Sequence, residues 1–165
     1  MTNNSHLTAI SRKALPVPVR WLLHNEMIHG HVLDYGCGKC KELNDTVLVK
    51  QSGVLSVTSY DPYHFPIPPI QPNDLGEGWY DVILCTYVLC TLPEDKERSI
   101  LKNIKKLLRP NGVAFITVRN DEPRGGYGMS SKGTFQRKVV IPHLYELRRC
   151  HQYRIYLLTP KNNWI

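Results

Sequence analysis

The chain has 165 residues, with 42% hydrophobic side chains and a formal net charge of +7. That length suits one domain with a real core. No apolar run approaches the ~20 residues of a membrane-spanning helix, and Met1–His6 lacks the layout of a secretory leader, so a soluble, cytoplasmic protein is expected. The charge is uneven: residues 1–118 carry 12 Lys+Arg against 11 Asp+Glu, and residues 119–165 carry 9 against 3. A basic C-terminal third suggests a face for phosphates or another acidic partner, or simply a solubilising surface.

The first predicted element is a helix over 17–28, with Val19, Leu22, Leu23 and Met27 as its apolar stripe. Val32 and Leu33 mark a short buried strand over 31–35, which runs into Gly36-Cys37-Gly38. A helix is predicted over 41–50 with Leu43, Val47 and Leu48 inward, and Gly53 ends it. Residues 54–60 read as a second strand, stopping at Asp61-Pro62. The proline-rich stretch from Pro62 to Gly78 predicts an irregular loop. Residues 80–86 form the third strand, centred on Val82, Ile83 and Leu84.

Thr91 and Glu94 fit a capping box, with Pro93 in the first turn of a helix whose inner face is Ile100, Leu101, Ile104, Leu107 and Leu108. Pro110-Asn111-Gly112 is expected to end it, before a fourth strand over 113–118. Beyond a glycine-rich loop over 120–133, the pattern predicts extended chain over 135–141, a short helix over 143–150 and a last strand over 153–158. Alternating strands and helices imply an α/β, Rossmann-like three-layer sandwich with a mostly parallel sheet. The chain is read as one domain: an arm and helix to residue 29, a core over 30–118, and a basic substrate-side segment over 119–165.

The strongest local signal is Val32-Leu33-Asp34-Tyr35-Gly36-Cys37-Gly38, a strand ending in a glycine turn that opens a helix. Glycines there remove Cβ atoms that would hold a ligand away, and the helix start presents free N–H groups. Asp61, ending the next strand, is placed to accept hydrogen bonds from both hydroxyls of a ribose. A dinucleotide fingerprint fails because its third glycine would fall at Lys41, and no P-loop occurs. Cys37-x-x-Cys40 lacks a second ligand pair for structural zinc, so no metal is expected. An odd number of cysteines (37, 40, 85, 90 and 150) without a leader argues for reduced thiols, with Cys85 and Cys90 as small buried hydrophobes.

With its acid-x-Gly-x-Gly order, the 80–89 strand and turn, and Leu107-Leu108-Arg109-Pro110-Asn111-Gly112, the chain resembles the class I methyltransferases. The resemblance implies S-adenosylmethionine as cofactor, bound by Asp34, Tyr35, Gly36, Cys37, Gly38, Asp61, Pro62, Thr86 and Tyr87, with Asp74 near the adenine. Blocks at 8–13, 34–38, 60–63 and 131–136 resemble the methyltransferases associated with DNA phosphorothioation systems, which implies a nucleic-acid context. Two departures stand out. Cys40 replaces a usual third glycine, and the 16 residues between Asp61 and Gly78 leave little room for a helix and strand, so a reduced sheet is expected, with the proline loop building the adenine pocket.

Methyl transfer from a sulfonium needs alignment above all, and a base only if the acceptor must lose a proton. Tyr63, His64, Tyr87 and Asp121 are candidates for that role, with Thr86 and Arg119 beside them. Arg12, Lys13, Arg119, Lys132 and Arg137 are expected on the substrate side. Asn- or Asp-Pro-Pro-aromatic and Pro-Cys motifs are absent, which argues against a familiar DNA base methylase. The leading reading is a methyltransferase of unidentified acceptor, possible acceptors including nucleic acid or a nucleotide-like molecule. The alternative is an inactive cofactor-binding or nucleic-acid-binding module.

Overall fold

The computed structural model describes residues 5–72, 77–123, 125–129 and 133–162. Three α-helices, α1 (Val17–His24), α2 (Lys41–Thr46) and α3 (Glu94–Leu107), accompany eight strands. These are β1 (Gly30–Tyr35), β2 (Val54–Tyr60), β3 (Tyr80–Thr86), β4 (Leu108–Arg119), β5 (Gly128–Met129), β6 (Phe135–Gln136), β7 (Tyr145–Arg149) and β8 (Tyr153–Leu158).

Six strands form one sheet in the order β2-β1-β3-β4-β8-β7, while β5 and β6 make a small separate hairpin. The pairs β1–β2, β1–β3 and β3–β4 are parallel. β8 runs antiparallel to β4 and β7 antiparallel to β8. The central strands β1, β3 and β4 bury apolar residues on both faces because both are covered. Leu33, Ile83, Cys85, Ala114 and Ile116 pack under Leu101, Ile104 and Leu107 of α3, together with Val139, Ile141 and Leu144. Val32, Val82, Leu84, Phe115 and Ile155 face the opposite way, onto Val19 and Leu22 of α1 and onto Leu48. This is the expected three-layer α/β sandwich. The chain leaves β1 for β2 on one side and returns to β3 on the other, so a crevice opens where the strand order reverses, at the carboxyl ends of β1 and β3.

Between β2 and β3 the described residues contain no helix or strand. Asp61 and Phe65 close a turn through two backbone hydrogen bonds, of 3.0 and 2.9 Å, and the Ile70 N–H donates to the Tyr80 hydroxyl at 3.1 Å. The sheet therefore lacks a strand from this segment, as the spacing implies.

Four expectations need correction. Residues 143–150 do not form a helix: Tyr145–Arg149 are β7, paired antiparallel with β8 on either side of a register shift between Glu146 and Arg148. The extended stretch over 135–141 is strand only at β6. The capping box is not made: Pro93 is the N-cap, with no side-chain cap bond, and the Thr91 hydroxyl donates to the Val88 carbonyl at 2.9 Å. Three acidic residues, Glu94, Asp95 and Glu97, compensate the first turn of α3 instead. The helix ends at Leu107, ahead of Pro110, and β4 starts at once. Finally, α2 stops at Thr46 and a 3-10 turn covers Leu48–Lys50. Val47 points outward, and Asn44 is buried where an apolar residue was expected.

Candidate functional site

A cavity of about 720 Å³ occupies the crevice above β1 and β3, within the roughly 300–1,000 Å³ of small-molecule sites. Its wall takes in the β1 turn, Asp61 to Tyr63 after β2, Thr86 to Val88 after β3, and Arg119 and Asp121 after β4. The N-terminal segment closes it with His6, Thr8, Ala9, Ile10 and Arg12.

The glycine turn is held tightly. Gly36 and Gly38 have φ of +79° and +57°, which favour glycine. A Cβ on Gly36 would stand 2.3 Å from Cγ2 of Val88. The amides of Gly36 and Cys37 both donate to the Tyr60 carbonyl, at 2.7 and 3.0 Å. The Gly38 amide donates to Oδ2 of Asp61 at 3.1 Å. The amides of Gly36, Cys37 and Gly38 are thus engaged by the β2 end. α2 is only six residues long.

Asp61 is more occupied than a simple ribose clamp would be. Its Oδ1 accepts the amides of Tyr63 and His64, both at 3.0 Å, while Oδ2 holds Gly38. A carboxylate offers about four lone-pair positions, so one remains, on Oδ2. Asp34 is fixed by Asn44, whose Nδ2 donates to Oδ2 at 2.8 Å and also to the Ser59 hydroxyl at 2.9 Å. Burial pushes the Asp34 carboxyl up to about 6; the Asn44 bond opposes this and the nearby Asp61 charge adds to it.

Tyr87, just after β3, is a non-glycine residue with φ +64°. Left-handed backbone in a bulky residue is strained and tends to sit at functional positions. Burial raises its phenol to about 12, with Arg12 as the next influence, pulling the other way. It is a hydrogen-bond donor at neutral pH and a poor base. Asp121 is bound side-on by Arg119, at 3.2 Å from Nε and 2.7 Å from NH2, and that pairing holds its carboxyl below the usual range.

Of the residues anticipated from sequence, Asp34, Tyr35, Gly36, Cys37, Gly38, Asp61, Pro62, Tyr63, Thr86, Tyr87, Arg12, Arg119 and Asp121 all meet in this one wall. Asp74 and Lys132 lie outside the described residues. His64 and Lys13 are not in the wall. Arg137 is not either: its NH2 pairs with Glu97 at 2.5 Å and its Nε donates to the Leu92 carbonyl at 2.8 Å. Among the described residues of the proline loop only Pro62 and Tyr63 reach the cavity. The Cys40 thiol lies against the Ile10 carbonyl, 4.0 Å away. Sequence reasoning missed His6, Gln136 and Gln152 in the wall; His6 and Gln152 belong to no motif, and Gln136 closes the 131–136 block without having been singled out. Among the described residues no group of three or more His, Cys, Asp or Glu side chains converges as a metal would require.

The arrangement, a nucleotide-type crevice at a strand-order reversal with an acid-anchored glycine turn, defines a Rossmann-like cofactor-binding enzyme. The sequence profile described as a methyltransferase domain matches residues 19–153. The chain belongs to this methyltransferase family. Human thiol S-methyltransferase TMT1B is 34% identical over 64 residues, which is 39% of this chain and 25% of that protein. The mouse protein of the same name is 34% identical over 53 residues, 32% of this chain and 21% of its own length. The matched region is thus about a quarter or less of these curated relatives. The fold is similar to that of Burkholderia thailandensis 1,6-didemethyltoxoflavin-N1-methyltransferase, solved with 1,6-didemethyltoxoflavin and S-adenosylhomocysteine (TM-score 0.62, 21% identity, 86% of this chain and 76% of that one). It is also similar to the PH0226 protein of Pyrococcus horikoshii OT3 (TM-score 0.54, 10% identity, 93% and 95%).

Proposed function

We propose that the chain is an S-adenosylmethionine-dependent methyltransferase whose acceptor is a small molecule enclosed in the cavity, with a thiol as the favoured class. The cofactor supplies an activated methyl group on a sulfonium. The observation that carries the reading is the composition of the single wall, which joins the glycine turn and Asp61 to Arg12, Tyr87, Arg119 and Asp121.

The residues fit the cofactor. Gly36 and Gly38 keep the turn free of side chains, and Asp61 retains one lone pair on the oxygen that anchors Gly38. Asp34 lies one turn deeper. At the acceptor end the titratable groups are poor bases: Tyr87 keeps its proton and Asp121 is ion-paired. Such an end suits an acceptor already nucleophilic near neutral pH. A thiol qualifies, since its ordinary pKa of ~8.5 leaves some thiolate, and the guanidinium of Arg12 favours the anion. The name of the curated relatives, thiol S-methyltransferase, agrees with this class. The enclosing N-terminal segment and the Arg119–Asp121 pair exclude water and orient the acceptor, which is the larger part of catalysis for an in-line displacement.

Incubation with S-adenosylmethionine and a panel of small thiols, hydroxyls and amines tests this. S-adenosylhomocysteine is expected with thiols, at a rate that rises with pH as thiolate forms. Turnover confined to amines or nucleic acid would contradict the thiol assignment. Cofactor binding without product from any acceptor would favour an inactive module. The phosphorothioation-associated subgroup rests on sequence blocks alone, one of which includes Ser131 and Lys132 outside the described residues.

A further inference from the structure

Three buried side-chain polar atoms among the described residues lack a hydrogen-bond partner: His6 Nδ1, His64 Nε2 and the Tyr156 hydroxyl. Only His6 stands in the wall of the cavity. A buried polar atom without a partner costs roughly 1–3 kcal/mol in general, so an unmatched one on a residue that lines a ligand site marks a place for a ligand group.

Its position says which ligand group. The His6 ring packs on the ring of Tyr63, with centroids 4.9 Å apart. The Tyr63 amide is bonded to Oδ1 of Asp61, so the imidazole lies at the Asp61 end of the cavity, not at the Arg119 end. The segment carrying His6 is seated on the glycine turn: Ala9 Cβ stands 3.1 Å from where a Cβ on Gly38 would be, and the Ile10 carbonyl lies against Cys40. Asp61, meanwhile, has one lone-pair position left once its three amide bonds are counted, whereas a ribose presents two hydroxyls. A second polar group is needed at that end.

We propose that His6 is a cofactor-binding residue, its Nδ1 completing the hydrogen bonding of the adenosine moiety beside Asp61 while its ring and that of Tyr63 form an aromatic cover over the nucleoside. The N-terminal segment is thereby part of the cofactor site and not only a wall for the acceptor. This rests on the S-adenosylmethionine reading above, and deepens it.

The test is calorimetric titration of three ligands, S-adenosylmethionine, S-adenosylhomocysteine and 5′-methylthioadenosine, into wild type, His6→Phe and His6→Ala, at a temperature where all are folded. His6→Phe keeps a ring against Tyr63 and removes the nitrogen. Loss of one buried hydrogen bond weakens binding about tenfold, and this loss is expected equally for the three ligands, because all share the nucleoside. His6→Ala loses at least as much. Unchanged affinity in His6→Phe, or a loss restricted to the two ligands with the amino-acid chain, overturns the assignment. If wild type binds none of the three, the cofactor reading itself falls; if wild type binds and both variants match it, only the role of His6 does.

Discussion

Asp34 sits two residues before Gly36 of the turn, and its carboxyl is the most consequential titratable group of the site. Burial lifts it from its usual 3.8 to about 6. The folded protein therefore holds that proton more tightly than the unfolded chain does. The stability it contributes is complete below about pH 4 and is lost as pH rises through about 6. Two pKa units correspond to ~3 kcal/mol at most. Asp34→Asn cannot ionise and lacks this loss, so thermal melts from pH 4 to 7 are expected to show the variant gaining on wild type as pH rises. A difference that stays flat or shrinks would mean that Asp34 is solvated. The acid and the two glycines were legible because a strand, a carboxylate and a glycine turn are contiguous in sequence. His6 was not legible: nothing in Ser5-His6-Leu7 signals a site, and only the fold sets its ring on Tyr63. The triple engagement of Asp61 by backbone amides is likewise a property of turn geometry.

At the scale of elements, the buried cores of β1, β3 and β4 could be read directly as short apolar runs, and β2 as a β-branched and aromatic stretch. β7 could not. Tyr145-Glu146-Leu147-Arg148-Arg149 mixes good helix formers with charge, and its strand character comes from pairing with β8 at the sheet edge. The capping box failed for a related reason, because Thr91 lies in a 3-10 turn where its hydroxyl reaches Val88 first. The α3 start is secured from outside by Arg137. The Arg137 amide donates to the Cys90 carbonyl, and its guanidinium joins Glu97 and the Leu92 carbonyl, with side-chain exposures of 16% and 20% for the ion pair. Removing it strands a half-buried carboxylate and a carbonyl. Arg137→Ala is expected to cost about 2 kcal/mol in urea unfolding, with Arg137→Lys recovering only part, since one ammonium cannot reproduce the fork. A change below ~0.5 kcal/mol, the range of an ordinary surface site, would show that the contact contributes nothing.

Across the whole molecule, several arginines of the C-terminal third have partners within the protein. Arg119 is paired with Asp121, Arg137 with Glu97, and Arg149 with Glu146. Arg154 donates to Asn120 at 2.7 Å, and Arg148 stacks on Trp21, 4.5 Å from the ring centroid. Sequence shows the charge but not these partners, which lie as far apart as Trp21 and Arg148. Phosphate binding needs cations facing solvent in a continuous track. Fluorescence anisotropy with duplex DNA at low salt is therefore expected to show no saturable binding below ~10 μM, the weak regime of non-specific association. Tight, steeply salt-dependent binding would contradict this.

One nucleoside sulfonium is predicted to lie between the turn after β1 and the acid after β2, with the acceptor beside its methyl group. A crystal structure with S-adenosylhomocysteine tests this most directly. The ligand is predicted in the cavity, its ribose at Asp61 and its sulfur directed toward Tyr87 and Arg119. Density elsewhere on the protein, or a ligand whose sugar does not approach Asp61, would contradict it.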